Sequence, residues 1–214
     1  MARQAQIYAD EWPLLRYASG SAEERLSLPF VFPLRSFLTG IALATSVVAI
    51  PFMLIIREAR RAEDSGAIWA ILEPVIRAGE TYALDRDLAR EQALAYWFSD
   101  GHEVFVADDN AQIVGTYFLH PNQKGGGSHV ANCGYITAAA ASGRGIARQM
   151  CTHSIDYAKS RGFRAIQFNF VVKTNERAVR LWESLGFAIV GTLPEAFLHP
   201  VDGYTDVYVM YRKL

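Results

Sequence analysis

Thr137-Ala138-Ala139-Ala140-Ala141-Ser142-Gly143-Arg144-Gly145-Ile146-Ala147 stands between two recognisable patterns. Before it, Val130 to Thr137 reads as a strand. After it, Ile146, Met150, Ile155 and Ala158 recur at helical spacing up to Gly162, which predicts a helix closed by a glycine cap. Two glycines in such a turn let the backbone approach a ligand closely. The N–H groups of the first helical turn have no partner within the helix, and the helix dipole adds partial positive charge, so the turn suits an anion such as a diphosphate. Arg144 and Arg148 offer screening cations. An ordinary strand-to-helix turn would read the same way locally, so the rest of the chain must decide.

Outward from the turn, Ala165 to Val172 is rich in β-branched and aromatic residues and predicts a strand. Asn175 to Leu185 follows as a helix with an Asn cap and a stop at Gly186, and Phe187 to Leu193 and Thr205 to Tyr211 supply two closing strands. Upstream, Val104 to Val106 and Ile113 to Phe118 flank Asp108-Asp109-Asn110 and predict a hairpin. Lys124-Gly125-Gly126-Gly127-Ser128 reads as a flexible connection. Leu54 to Arg57 predicts a first strand, and Ala62 to Arg77, with Ile68, Ile71, Leu72 and Val75, a first helix. A second helix, carrying Leu88, Leu94, Ala95 and Phe98, has Asp85 or Asp87 as candidate caps. The order β-α-α-β-β-β-α-β-α-β-β implies an α/β (α+β) domain: a mixed central sheet of about six to seven strands with helices on both faces.

The 214 residues suffice for one domain and an appendage, and 51% hydrophobic with 20% charged residues is a globular balance. The domain is expected over 53–214. Residues 1–52 read as an extension of uncertain role, apolar over 37–52. Its uncharged stretch approaches the roughly 20 residues of a membrane span, but Thr39, Gly40, Thr45, Ser46 and Pro51 dilute it and Met53 to Ile56 are better used as strand. A membrane association is therefore not the preferred reading. With 21 basic against 22 acidic residues there is no positive field for nucleic acid. Cys133 and Cys151 cannot form a disulfide framework and have no metal-ligand spacing, so no metal is expected and the chain reads as cytoplasmic.

Taken with Asn175-Glu176-Arg177-Ala178, Trp182 and Gly186-Phe187, the glycine turn resembles the GNAT acetyltransferase superfamily over essentially all of 53–214. The family wraps the diphosphate of coenzyme A with Arg/Gln-x-x-Gly-x-Gly/Ala. Gly145 and Ala147 match it, while Ser142 stands where Arg or Gln is preferred. The resemblance implies acetyl-CoA as co-substrate, held by Ile136, Thr137, Ser142, Gly143, Arg144, Gly145, Ile146, Ala147 and Arg148, with Asn175, Ala178 and Trp182 near its pantetheine arm. Many members carry a tyrosine acid where this chain has Trp182, and an indole is no useful acid near neutral pH. The acid is then another residue, a water, or dispensable.

His129-Val130-Ala131-Asn132, Gln167-Phe168-Asn169-Phe170 and Gly191-Thr192-Leu193-Pro194 are similar to a bacterial subgroup related to the yeast acetyltransferase of proline analogues such as azetidine-2-carboxylate. That resemblance implies that Asn132 and Asn169 face a small amino-acid-like acceptor. Neutral amides can orient a zwitterion, although both could equally satisfy strand-end backbone groups. Glu80 is the candidate for recognising or deprotonating the ammonium, or is a solvated loop acid. Tyr82, Tyr135 and Tyr204 are candidate pocket walls or proton relays, and a strand N–H near Tyr135 to Thr137 a candidate oxyanion donor. The candidate catalytic set is thus Asn169, Glu80 and Tyr135, with Asn132, Asn169 and Tyr82 for the acceptor. Transfer is expected to be direct, without a covalent intermediate through Cys133, which alternation turns away from Asn132. A peptide or protein amine, or a coenzyme-A-binding module without catalysis, would share the donor pattern. Relatives often dimerise, so the resemblance also allows a homodimer.

Overall fold

The computed structural model describes residues 54–214. The extension expected over 1–52 and its apolar part, 37–52, lie outside the described residues. The elements are β1 (Leu54–Glu58), α1 (Arg61–Ala78), α2 (Arg90–Trp97), β2 (Glu103–Asp109), β3 (Gln112–Pro121), β4 (Val130–Thr137), α3 (Ile146–Ser160), β5 (Ala165–Val172), α4 (Glu176–Ser184), β6 (Ala188–His199) and β7 (Gly203–Lys213). They form one seven-stranded sheet in the order β1-β2-β3-β4-β5-β7-β6. Among the described strands, β4 and β5 are the only neighbours paired in parallel. No helix among the described residues is long and apolar enough to cross a membrane.

Alternation along the strands sorts side chains into two cores, one on each face of the sheet. Val104, Val106, Phe118 and Ile136 pack with Ile68, Ile71, Leu72 and Ile76 of α1 and Ala93 and Trp97 of α2. Phe105, Tyr117, Leu119, Ala131 and Cys133 pack on the other face with Met150, Cys151 and Ile155 of α3 and Trp182 of α4. Within the first core Trp97 Nε1 donates to Thr116 Oγ1 at 3.0 Å, and Thr116 Oγ1 donates to the Phe105 carbonyl at 2.9 Å.

Local chemistry sets most boundaries. Asn175 caps α4, its Oδ1 accepting from the Ala178 N–H at 3.2 Å. At the ends of α3 and α4, Gly162 and Gly186 take left-handed φ of 83° and 82°. The following Phe163 and Phe187 N–H groups reach back to Ala158 and Trp182 carbonyls, giving two Schellman endings. The β2–β3 turn uses Asn110 and Ala111, both at positive φ, one residue later than the acidic cluster suggested. Two expectations are corrected. Helix α2 starts only at Arg90, with Ala89 at its N-cap and Gln92 Oε1 accepting from the Ala89 N–H; Asp85 and Asp87 therefore lie ahead of the cap position and do not cap it. The glycine run after β3 folds into a 3₁₀ turn, Gly125–Gly127.

The feature that positions the site is a split. β4 and β5 pair only at Val130 with Ala165 and Ala131 with Ile166, although β4 runs to Thr137 and β5 to Val172. Beyond the split, Tyr135, Phe168 and Trp182 pack against one another with ring centroids 5.1 to 5.8 Å apart. Three large rings converge below the seam, while paired strands stand only about 4.8 Å apart. Their bulk provides a reason for the strands to diverge. Truncating such a buried ring typically costs about 3–5 kcal/mol.

Candidate active site

The split opens into a cavity of about 370 Å³. Its walls come from the second half of β4 (Asn132 to Thr137), from β5 (Phe168 to Val172), from the 79–89 loop (Thr81 to Leu84) and from α4 (Ala178, Trp182), with Val75, Tyr96, Phe118 and Asn175 completing it. Among these described lining residues none carries a formal charge.

Strand polarity supplies donors. The Ala138 N–H donates to the Val114 carbonyl and the Asn122 N–H to the Val130 carbonyl. Antiparallel pairing alternates, so with the observed register Asn132, Gly134 and Ile136 direct their amides at β3. Cys133, Tyr135 and Thr137 direct theirs toward the split, where β5 no longer accepts them. The Tyr135 carbonyl, on the same side, accepts from Tyr82 Oη at 3.1 Å, which ties the loop to the sheet edge. Burial pushes the Tyr82 phenol well above its ordinary range, so it stays protonated and donates.

The two asparagines sit at one end. Asn169 Oδ1 accepts from Gln167 Nε2 at 2.8 Å, and Asn169 Nδ2 donates to Asn122 Oδ1 at 2.6 Å. Both amide ends are thereby oriented, with one donor and one lone pair left over. Asn132 lies opposite His120 across β3–β4. His120 stacks on His102 at 4.5 Å, and His102 on Phe118 at 4.3 Å. Burial lowers both imidazoles, His120 to about 4 with His102 beside it contributing, so both are neutral around pH 7.

The remaining candidates are distributed as follows. Glu80 is exposed and outside the lining. The Tyr135 phenol is turned beneath α3, 2.6 Å from Ser154 Oγ, so what Tyr135 offers the split is backbone. Cys133 is 8% exposed in the α3 core, and burial pushes its thiol up, which leaves no thiolate near neutral pH. Tyr204 is 71% exposed and is absent from the cavity wall. Ser142 to Gly145 are exposed outside the cavity, whereas the Ile146 side chain is buried in the core and can offer a ligand only its amide. Gly143 and Gly145 have φ of 83° and 77°, and a Cβ on either would meet nothing within 4 Å. The glycines therefore answer to backbone conformation and leave open space above the turn. A diphosphate fits that cradle of amides. Arg144 is paired with Asp109 at 2.6 Å, and Arg148 Nη2 donates to Ser184 Oγ at 2.8 Å.

Sequence reasoning missed Tyr96, Phe118, Gly134 and Leu84. Only the three-dimensional meeting of α2, the loop, β3 and β4 makes them neighbours. Gly134 is the instructive one, since a Cβ there would stand 2.7 Å from the Phe118 ring and 3.1 Å from Tyr82 Oη. It is the gap that lets both aromatics reach the cavity.

A family model described as the acetyltransferase (GNAT) family matches residues 68–187, more than half of the chain. The chain belongs to that family. It is thus an acetyl-CoA-dependent acyltransferase of the N-acetyltransferase class. A GCN5-related N-acetyltransferase from Kribbella flavida superposes with a TM-score of 0.72 at 46% identity, covering 75% of this chain and 98% of that one. The N-acetyltransferase aca1 of Schizosaccharomyces pombe is 28% identical over 151 residues, 63% of this chain and 72% of that protein. In fold alone the chain is also similar to yncA of Salmonella typhimurium, solved with its cofactor acetyl-CoA, with a TM-score of 0.67 and 22% identity over 76% of this chain and 94% of that one.

Proposed function

We propose that this acetyltransferase moves an acetyl group directly from acetyl-CoA to the amine of a small, amino-acid-like acceptor, as its resemblance to the proline-analogue subgroup suggests. The observation that carries the reading is the uncharged cavity at the split, with glycine-turn amides at one side and the Asn132–Asn169 pair at the other. Acetyl-CoA supplies an activated acyl group as a thioester. The amides of Gly143 and of 145–147 hold its diphosphate, the Arg144 N–H being directed at the Ala141 carbonyl, and Asn175 and Ala178 flank its pantetheine arm. The Tyr135 and Thr137 N–H groups point where negative charge would develop on a carbonyl oxygen, a type of donor worth about 3–4 kcal/mol.

Asn169 and Asn132 orient the acceptor, their N–H groups meeting a carboxylate and their carbonyls an amine. With no carboxylate in the described lining, the amine loses its proton to water rather than to a side chain, and Glu80 at most attracts cations to the entrance. The indole of Trp182 donates no proton, so coenzyme A departs as its thiolate and takes a proton from solvent. Cys133, buried on the far face, takes no acyl group, so catalysis is by positioning in a ternary complex. The two buried, unpaired cysteines fit a reducing, cytoplasmic setting.

A peptide amine is the second reading, favoured by Phe170, which lines the cavity yet is 37% exposed and abuts Phe197. The test is thiol release from acetyl-CoA with azetidine-2-carboxylate, free amino acids, polyamines and a peptide N-terminus. Turnover confined to small amino-acid-like amines supports the proposal, and turnover on the peptide alone replaces it with the second reading. Thermal stabilisation by acetyl-CoA without turnover on any amine would instead indicate a binding module.

A further inference from the structure

Three arginines stand within the 142–147 turn, directly after it or across from it on α4, and each is engaged differently. Arg144, within the turn, is spoken for by the Asp109 carboxylate at 2.6 Å, in a pair whose acid is only 12% exposed. Arg148 reaches Ser184, the last residue of α4. Arg177, in the first turn of α4, extends Nη1 to Ser142 Oγ at 2.7 Å. Ser184 is seven helical steps beyond Arg177, or roughly 10 Å along the axis. Arg148 therefore engages the end of α4 remote from the turn. Arg180, one turn after Arg177, is engaged by Glu176 at 2.8 Å.

We infer that Arg177 is the cation that α4 contributes to the diphosphate of coenzyme A, with Ser142 holding its guanidinium at the turn. The inference rests on the reading of 142–147 as the diphosphate seat. A diphosphate diester brings two negative charges to a turn that otherwise offers neutral amides and an arginine already paired with an acid. A guanidinium has five donors in a planar fork that matches phosphate oxygens. Ser142 occupies one, and its hydroxyl is a weak partner that a phosphate oxygen can replace or join. Both residues are exposed, so no buried charge must be uncovered. The geometry also couples the two ligand-bearing helices: α3 presents amides and α4 the charge, each following one of the two strands that diverge. The absence of a basic residue at position 142 is then offset from across the split.

The test is calorimetric binding of coenzyme A, 3′-dephospho-coenzyme A and pantetheine to the full chain and to Arg177→Ala and Arg177→Lys. Coenzyme A and its 3′-dephospho form keep the diphosphate, whereas pantetheine lacks it. Arg177→Ala is expected to weaken both diphosphate ligands by about 10- to 100-fold, with pantetheine unchanged and Arg177→Lys intermediate. An equal loss for pantetheine would assign Arg177 a packing role in α4 and overturn the inference. A loss seen with coenzyme A but not with its 3′-dephospho form would move the contact to the 3′-phosphate, and unchanged affinity for all three would remove the contact. These outcomes differ from failure of the underlying reading, in which the unaltered protein would bind pantetheine and coenzyme A with the same affinity. Melting temperatures of the variants, expected to match the parent, separate lost contact from lost fold.

Discussion

The two ends of the cleft are built by opposite means. The proposed donor end is a continuous stretch of chain, 142–148, exposed over 142–145, glycine-rich and bordered by arginines engaged at their rims. The acceptor end is assembled from β3, β4, β5, α2 and the 79–89 loop, is uncharged, and owes its shape to packing: Gly134 leaves room for Phe118 and Tyr82, and the Gln167–Asn169–Asn122 amides fix one another. Local backbone conformation therefore governs the first end and long-range contacts the second. Substitutions should separate along that line.

The largest effect is expected at Gly145→Val. A β-branched residue at φ 77° is strained, and its methyls would fill the open space above the turn. The KM for acetyl-CoA should rise at least about 100-fold, which corresponds to about 2.7 kcal/mol, while the acceptor KM holds; steady-state kinetics with both substrates varied checks this. Asn169→Ala should do the reverse, raising the acceptor KM about tenfold for one lost hydrogen bond and leaving acetyl-CoA binding intact. Equal effects of both substitutions on both substrates would erase the distinction between the ends.

A third prediction concerns acid. The buried neutral form of His120 is favoured in the folded chain, with its pKa lowered from 6.5 to about 4. The unfolded chain takes up this proton first, so the contribution is complete above about 6.5 and is lost as pH falls through about 4. His120→Phe, which can keep the stack on His102 without a proton-binding site, should show a melting temperature that declines less steeply between those values. An identical decline would mean that the acceptor end is not held by its uncharged histidines. The smallest effect belongs to Glu80→Gln, for which kcat and both KM values should stay within about twofold, as for an exposed side chain.

The same contrast explains what could be read from the sequence. Element order, both glycine helix endings, the Asn175 cap and the turn at 142–147 are local patterns, and each recurs in the structure. The start of α2 is hidden because Ala89, a residue with no capping side chain, stands at its N-cap, while the aspartates that resemble caps lie two or more residues earlier. The cavity was partly legible: Asn132, Asn169, Tyr82 and Trp182 line it. The role of Tyr135 could not be apportioned between phenol and backbone, because that depends on which strand face α3 covers. Tyr96, Gly134 and the His102–His120 stack became visible only when α2 and β3 met, and Arg177 only when α4 came within reach of Ser142. Spacing along the chain carries no trace of such meetings.

Titration of the full chain with coenzyme A at increasing sodium chloride bears most directly on the claim that main-chain amides and an arginine seat a diphosphate. Saturable binding at one site is expected, with an affinity that falls as salt screens the charges and that is lost in Gly145→Val. Absence of affinity at low salt, or an affinity indifferent both to salt and to Gly145→Val, would contradict it.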